Sequence, residues 1–154
     1  MLDIRIVEIS TADTHVLRRA VLRNGDPGRT VVFAEDDLIG TIHLGARDPR
    51  DAIVAVSSWV PKSLDGFDAL DGLRATQLRG MATDASLQGT GIGGLLFETG
   101  VQRCVDNGVD LVWARARDSA LDFYARHGCT VIGEGFIDDT SGLPHHVVIR
   151  NLIG

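Results

Sequence analysis

The chain has 154 residues, 44% hydrophobic and 23% charged, with a net charge of −6. Those proportions suit one soluble globular domain over residues 1–154, large enough to bury about two thirds of its extended-chain surface. The negative balance argues against nucleic acid or an anionic membrane as a general partner, and no run nears the ~18 apolar residues of a membrane span.

In chain order, Leu2 to Val7 alternates as a half-buried strand does. The opening residues lack the basic stretch and apolar core of a signal peptide. Ser10 with Asp13 reads as a variant capping box, opening a helix whose apolar stripe is Val16, Leu17, Ala20 and Val21. Asn24-Gly25-Asp26-Pro27-Gly28 ends it. Thr30–Ala34 reads as a short strand, and Asp36-Asp37 as a solvated turn. Gly40–Leu44 and Ala52–Trp59 read as an antiparallel hairpin turned by Arg47-Asp48-Pro49-Arg50-Asp51. Pro61 to Gly72 is turn-rich and expected on the surface. The second half alternates: strand Thr76–Thr83, helix Ile92–Asn107, strand Leu111–Arg117, helix Ser119–His127, strands Thr130–Ile137 and His145–Leu152. The longer helix carries apolar residues on two sides and reads as largely buried. This order predicts an α/β (α+β) mixed sheet with helices on its faces.

The strongest signal is Gly89-Thr90-Gly91-Ile92-Gly93-Gly94, at the junction of a polar loop and an apolar helix. Glycine inside a helix costs about 1 kcal/mol relative to alanine, so opening one through Gly93 and Gly94 gives up roughly 2 kcal/mol. The physical use is a bare backbone whose N–H groups reach an anion, helped by about half a positive charge at the helix N-terminus. The run also fits the dinucleotide fingerprint G-x-G-x-x-G, which wants its first glycine directly after a strand and an acidic residue closing the next strand, about 20 positions on. Here Asp84–Gln88 intervenes, and Asp110 precedes its strand, so the fit fails. No Gly-Lys-Ser/Thr follows, which excludes a P-loop.

Gln88-Gly89-Thr90-Gly91-Ile92-Gly93, followed some 30 residues on by Phe123-Tyr124 and the helix-ending Gly128, resembles the GNAT superfamily of acyl-CoA-dependent N-acyltransferases. Gln77–Thr83 is similar to the strand this family places before its loop. Gly133-Glu134 and Gly142-Leu143-Pro144-His145 resemble a bacterial subgroup without a well-defined substrate. The close match covers about residues 74–150. The resemblance implies a central, mostly antiparallel sheet with a splayed parallel pair in its middle, entered by acetyl-CoA. Backbone groups of Met81, Ala82 and Thr83 would face the pantetheine and thioester. Amides of Gly89, Thr90, Gly91, Ile92, Gly93 and Gly94 would hold the pyrophosphate, with Gln88 orienting the loop. Gly80, inside the strand, is what a bulge or a close backbone approach looks like from sequence.

Tyr124 is the sole tyrosine. Periodicity alone makes it a core aromatic; its match to the family's catalytic tyrosine makes it the general acid for the departing thiolate. His43 reads as a satisfied strand histidine, with a substrate cleft as the alternative. His15 and His127 belong on helix surfaces. His145 and His146 are adjacent, so in a strand they point to opposite sides. Arg79, Arg115 and Arg117 read either as exposed or ion-paired groups, or as contacts to cofactor phosphate or an acidic substrate group. Cys104 and Cys129 read as small buried groups of a protein in a reducing cytoplasm. No metal-ligand spacing occurs.

The expected function is direct transfer of an acetyl group from acetyl-CoA to a primary amine. Glu35, His43, Asp84 or a water chain would take the amine's proton. The rival is a non-catalytic acyl-CoA-binding sensor or regulatory domain. The acceptor stays open among small-molecule and peptide amines, and a homodimer is an option for the assembly.

Overall fold

The computed structural model describes residues 3–153, so the predicted strand start at Leu2 lies, with Met1 and Gly154, outside the described residues. Among the described residues, seven strands form one mixed sheet in the order β1-β2-β3-β4-β5-β7-β6. They are β1 Arg5–Ile9, β2 Ile42–Arg47, β3 Ile53–Pro61, β4 Ala75–Thr83, β5 Leu111–Arg117, β6 Thr130–Ile137 and β7 Pro144–Asn151. The α-helices are α1 His15–Leu17, α2 Ile92–Asp106 and α3 Leu121–Arg126. Packing divides the chain into two units: the residues up to Pro61 with Leu78–Gln102, and Lys62–Gln77 with the residues from Arg103 onward.

In the first unit, β1 and β2 pair antiparallel from Arg5↔Arg47 to Ile9↔His43, and β2 and β3 form the predicted hairpin. Its turn holds because Asp48 Oδ1 accepts the amides of Arg50 and Ala52. Ser10 and Asp13 exchange the two hydrogen bonds of a capping box, at 3.3 and 3.2 Å. The helix they open is irregular: a 3₁₀ turn Ala12–Thr14, then α1, then a π-turn Arg18–Leu22. The predicted stripe fails in part. Val16 is 77% exposed, whereas Leu17 packs on Val56 and Ala82, with Val21 and Leu22 beside them. Changing the residues per turn rotates the stripe, and the fully buried Arg18 holds the position an apolar count would give to an aliphatic.

Thr30–Ala34 is not a strand but runs into a turn at 34–37. Asp36 there is buried, not solvated. Helix α2 is also less buried than expected. Ile92, Leu96, Phe97, Val101 and Cys104 make one buried face, while Leu95 and Val105 are exposed. Gly100 completes that face: a Cβ there would lie 1.9 Å from the Trp59 ring. Trp59 also packs on Phe97, at 6.1 Å between ring centroids.

In the second unit, the N-terminal end of β4 pairs in parallel with β5 through Ala75↔Leu111, Thr76↔Val112 and Gln77↔Trp113. β5 pairs antiparallel with β7 from Leu111↔Asn151 to Arg117↔His145, and β6 closes the edge against β7. The core is Leu64, Ala75, Leu111 and Trp113, flanked by Phe67, Leu70, Leu73, Ile132, Val147 and Ile149. The turn-rich segment after Pro61 is thus part of that core as well as surface. Its Lys62 carbonyl accepts the Trp113 Nε1–H at 2.8 Å. No helix among the described residues is long and apolar enough to cross a membrane.

Candidate active site

The polar loop after β4 is built by its own side chains. Asp84 Oδ1 accepts the Ser86 amide at 2.9 Å and the Ser86 hydroxyl at 2.6 Å, which caps a 3₁₀ turn at Ala85–Leu87. Those bonds hold the Asp84 carboxyl below its ordinary value, so it is a poor proton acceptor. Gln88 Nε2 donates to the Thr83 carbonyl at 3.1 Å, tying the loop back to the end of β4. Gly89 and Gly91 then take φ of +82° and +91°, backbone that other residues rarely adopt. The first α2 bond runs from Leu95 N–H to the Gly91 carbonyl.

The consequence is a row of unspent donors. The amides of Gly89, Gly91, Ile92, Gly93 and Gly94 donate to no protein group among the described residues, whereas Thr90 N–H is turned to the Leu87 carbonyl. Helix N-termini leave such donors by construction. Here Gly89 and Gly91 take left-handed backbone ahead of the helix, and Gly93 and Gly94 place no bulky side chain at its head. Of the six amides expected to face an anion, Thr90 N–H is spent inside the loop and the other five have no protein acceptor among the described residues.

Along β4, Gly80 has φ +59°. A Cβ there would stand 2.7 Å from Phe33 Cε2 and 3.2 Å from Arg18 Nε, so the close backbone approach expected of it is real. Two ion pairs surround Phe33. Arg18 donates to both Asp36 oxygens, to the Val31 carbonyl and to Ser58 Oγ, each at 2.8 Å. Its guanidinium lies 3.9 Å from the Phe33 centroid. Burial alone would push the Asp36 carboxyl up, but the Arg18 hydrogen bonds and charge, with the Phe33 amide, hold it below its ordinary value. Arg79 Nη1 donates to Glu35 Oε1 at 2.6 Å, and its guanidinium lies 4.7 Å from the same ring.

His43 is buried between Ser58 Oγ at 2.7 Å and the Asp36 carbonyl at 3.0 Å, with Thr11 Oγ1 at 3.1 Å. A carbonyl only accepts, so Nε2 carries the proton and Nδ1 accepts from Ser58. Both ring nitrogens are engaged, as a satisfied strand histidine requires.

In the second unit, Tyr124 is buried on α3, its ring edge-on to Phe123 at 5.3 Å between centroids. Burial, with the neighbouring Cys129, pushes its phenol above the ordinary value of 10.0, so it stays protonated through the neutral range. His145 is buried on the Leu143 carbonyl, and His146 Nδ1 meets Asp118 at 2.6 Å. Arg115 stacks on Phe136 at 4.7 Å and pairs with Asp138 at 3.2 Å. Both cysteines are free thiols; burial pushes the Cys104 thiol up, while Cys129 is only half-buried. No group of three or more metal-ligating side chains occurs among the described residues.

Residues 4–129 match the Acetyltransferase (GNAT) family. The chain belongs to that family. It is 30% identical over 149 residues to the uncharacterized N-acetyltransferase YitI of Bacillus subtilis (strain 168), covering 97% of this chain and 95% of that protein. The Escherichia coli ElaA structure shares the fold with a TM-score of 0.75 at 20% identity, over 98% of this chain and 100% of that one. An aminoglycoside 6'-N-acetyltransferase solved with coenzyme A does so with a TM-score of 0.76 at 13% identity, over 97% and 98%. With its family established, the chain is an acyltransferase.

The sequence pattern did not foresee Phe33 and Arg18 against Gly80, nor Asp36 as the partner of Arg18. The one available signal was the Gly80 itself, a strand glycine that something must approach.

Proposed function

We propose that this chain is one N-acetyltransferase domain that moves an acetyl group directly from acetyl-CoA to a primary amine. The observation that carries the reading is the row of unspent amides from Gly89 to Gly94, whose positive ends suit the pyrophosphate of the donor. Gln88 fixes the loop to β4, and the backbone of Met81, Ala82 and Thr83, directly upstream, is assigned to the pantetheine and thioester. The neutral amine attacks the thioester carbonyl carbon. The oxyanion so formed collapses and expels the CoA thiolate, which takes the phenolic proton of Tyr124. The amine's own proton leaves to a base. His43 has both ring nitrogens engaged, Asp84 is held acidic and Glu35 is bonded to Arg79, so the proton passes to a water chain. Two free cysteines fit action in a reducing compartment.

Calorimetry on Gly91→Glu tests the donor site. The added carboxylate should repel the phosphates and remove measurable acetyl-CoA binding with the fold intact; unchanged affinity would refute the placement. Turnover of acetyl-CoA against a broad panel of primary amines separates an enzyme from a sensor. Tyr124→Phe keeps the ring and removes the proton, so turnover should fall by about two orders of magnitude with little change in acetyl-CoA affinity. Turnover within about threefold of the parent would make Tyr124 a core aromatic only.

A further inference from the structure

Arg79 is a half-buried guanidinium lying over the Phe33 ring. Its bond to Glu35 is its single hydrogen bond among the described residues, which leaves the Nε–Nη2 edge unspent. The side chain is 31% exposed and Glu35 22%, so water and solutes reach the pair. Phe33 backs the flat face of the guanidinium, and the missing Cβ of Gly80 lets that ring sit against β4. A stacked guanidinium presenting two parallel N–H groups matches a carboxylate in bidentate fashion. Arg79 stands in β4 immediately ahead of the Gly80–Thr83 segment, whose last three residues carry the thioester in the proposed function.

Resting on that function, we infer that Arg79 recognises the acceptor, and that the acceptor is a small primary amine carrying a carboxylate, the amino-acid class. A carboxylate matches the unspent edge of Arg79, and a primary amine on the same small molecule is the group that the proposed function acylates. The Glu35 carboxylate holds Nη1 and leaves Nε and Nη2 without a protein acceptor among the described residues. Arg115 in the second unit shows the same stacking on an aromatic ring, but Asp138 beside it is also held by the amides of Thr140 and Ser141 at its own turn. That pair reads as the clamp of a loop.

The test is a calorimetric titration, with saturating coenzyme A, of the proteinogenic α-amino acids and their amides into the parent, Arg79→Gln and Arg79→Lys. At least one acid should bind the parent tenfold or more tightly than its amide. Arg79→Gln should bring that acid down to the amide's affinity and leave the amide within twofold, while Arg79→Lys, which keeps the charge and loses the fork, should recover only part. Equal binding of acid and amide by the parent, no binding of any acid, or equal weakening of both by Arg79→Gln would overturn the inference. So would a lower melting temperature in Arg79→Gln with the acid-to-amide ratio intact, the mark of a structural pair. A separate titration of the parent with acetyl-CoA keeps the donor reading distinct: its failure refutes that site, and the acid-to-amide ratio is still read by itself.

Discussion

Glu35 and Asp36 are neighbours in sequence, each is paired with an arginine, and both arginines lie against Phe33, yet the two pairs differ in kind. The Arg18 and Asp36 side chains are 1% and 3% exposed and share two bonds, with Val31 and Ser58 taking further donors. The Arg79–Glu35 pair has one bond and an open edge. Desolvated charge is tolerable only when nearly every donor finds an acceptor, which is why the first pair is saturated. At Arg18 only Nε lacks a partner among the described residues, and it lies against Gly80. A pair in contact with water needs no such saturation and is left with capacity to bind. The difference separates a charge pair walled into the interior from one that stays in contact with water.

The largest effect should come from the buried pair. Arg18→Ala strands Asp36 in the interior and should cost about 3–5 kcal/mol, read by denaturant unfolding at pH 7. Replacing both, as Arg18→Met with Asp36→Leu, should cost much less, because no charge is left behind. The pH dependence has a definite sign. The folded Asp36 carboxyl is depressed below 3.8, so its contribution is full above about pH 5 and fades as pH falls through the folded value. Without Arg18, burial dominates and raises that carboxyl, so protonation relieves the variant in acid. The gap between parent and Arg18→Ala should therefore shrink below about pH 4. A gap independent of pH would mean that the loss is one of packing.

Gly80→Ala attacks what the two pairs share. It demands φ +59° of a residue with a Cβ, 2.7 Å from Phe33. The cost should be about 1–3 kcal/mol, with Phe33 pushed off β4. Both arginines lose their backing at once, so the acid-to-amide discrimination assigned to Arg79 should fall together with stability. A stable variant with intact discrimination would show that the ring is not the platform.

The same contrast explains what could be read from sequence. The glycine loop, the hairpin, the β4–β5 unit and the capping box at Ser10 rest on short-range patterns: a glycine where φ must be positive, a period of two, a serine three residues ahead of an aspartate. The Arg18–Asp36 pair does not. Its partners stand 18 residues apart, and pattern reading assigns arginine and paired aspartates to the surface, which put Asp36-Asp37 in solvent and Val16 in the core. Nor does a helical wheel foresee a π-turn. Tyr124 stood apart: periodicity gave a core aromatic and family resemblance gave an acid, and its burial is common to both.

The smallest effect tests the exposed pair on stability alone. Arg79→Gln and Glu35→Gln should each cost no more than about 1 kcal/mol, the range of solvated ion pairs. Salt sharpens this. At 1 M the screening length is about 3 Å, comparable to the pair's own separation, so whatever Arg79–Glu35 contributes should largely vanish there. Arg18–Asp36, closed to ions, should keep its contribution at the same ionic strength. Comparing each variant with the parent at low and high salt, under one denaturant protocol, tests both pairs together. A loss of several kcal/mol in Arg79→Gln that persists at 1 M salt would make Arg79 a second wall residue. Its open edge would then be incidental, and recognition of the acceptor would have to lie elsewhere.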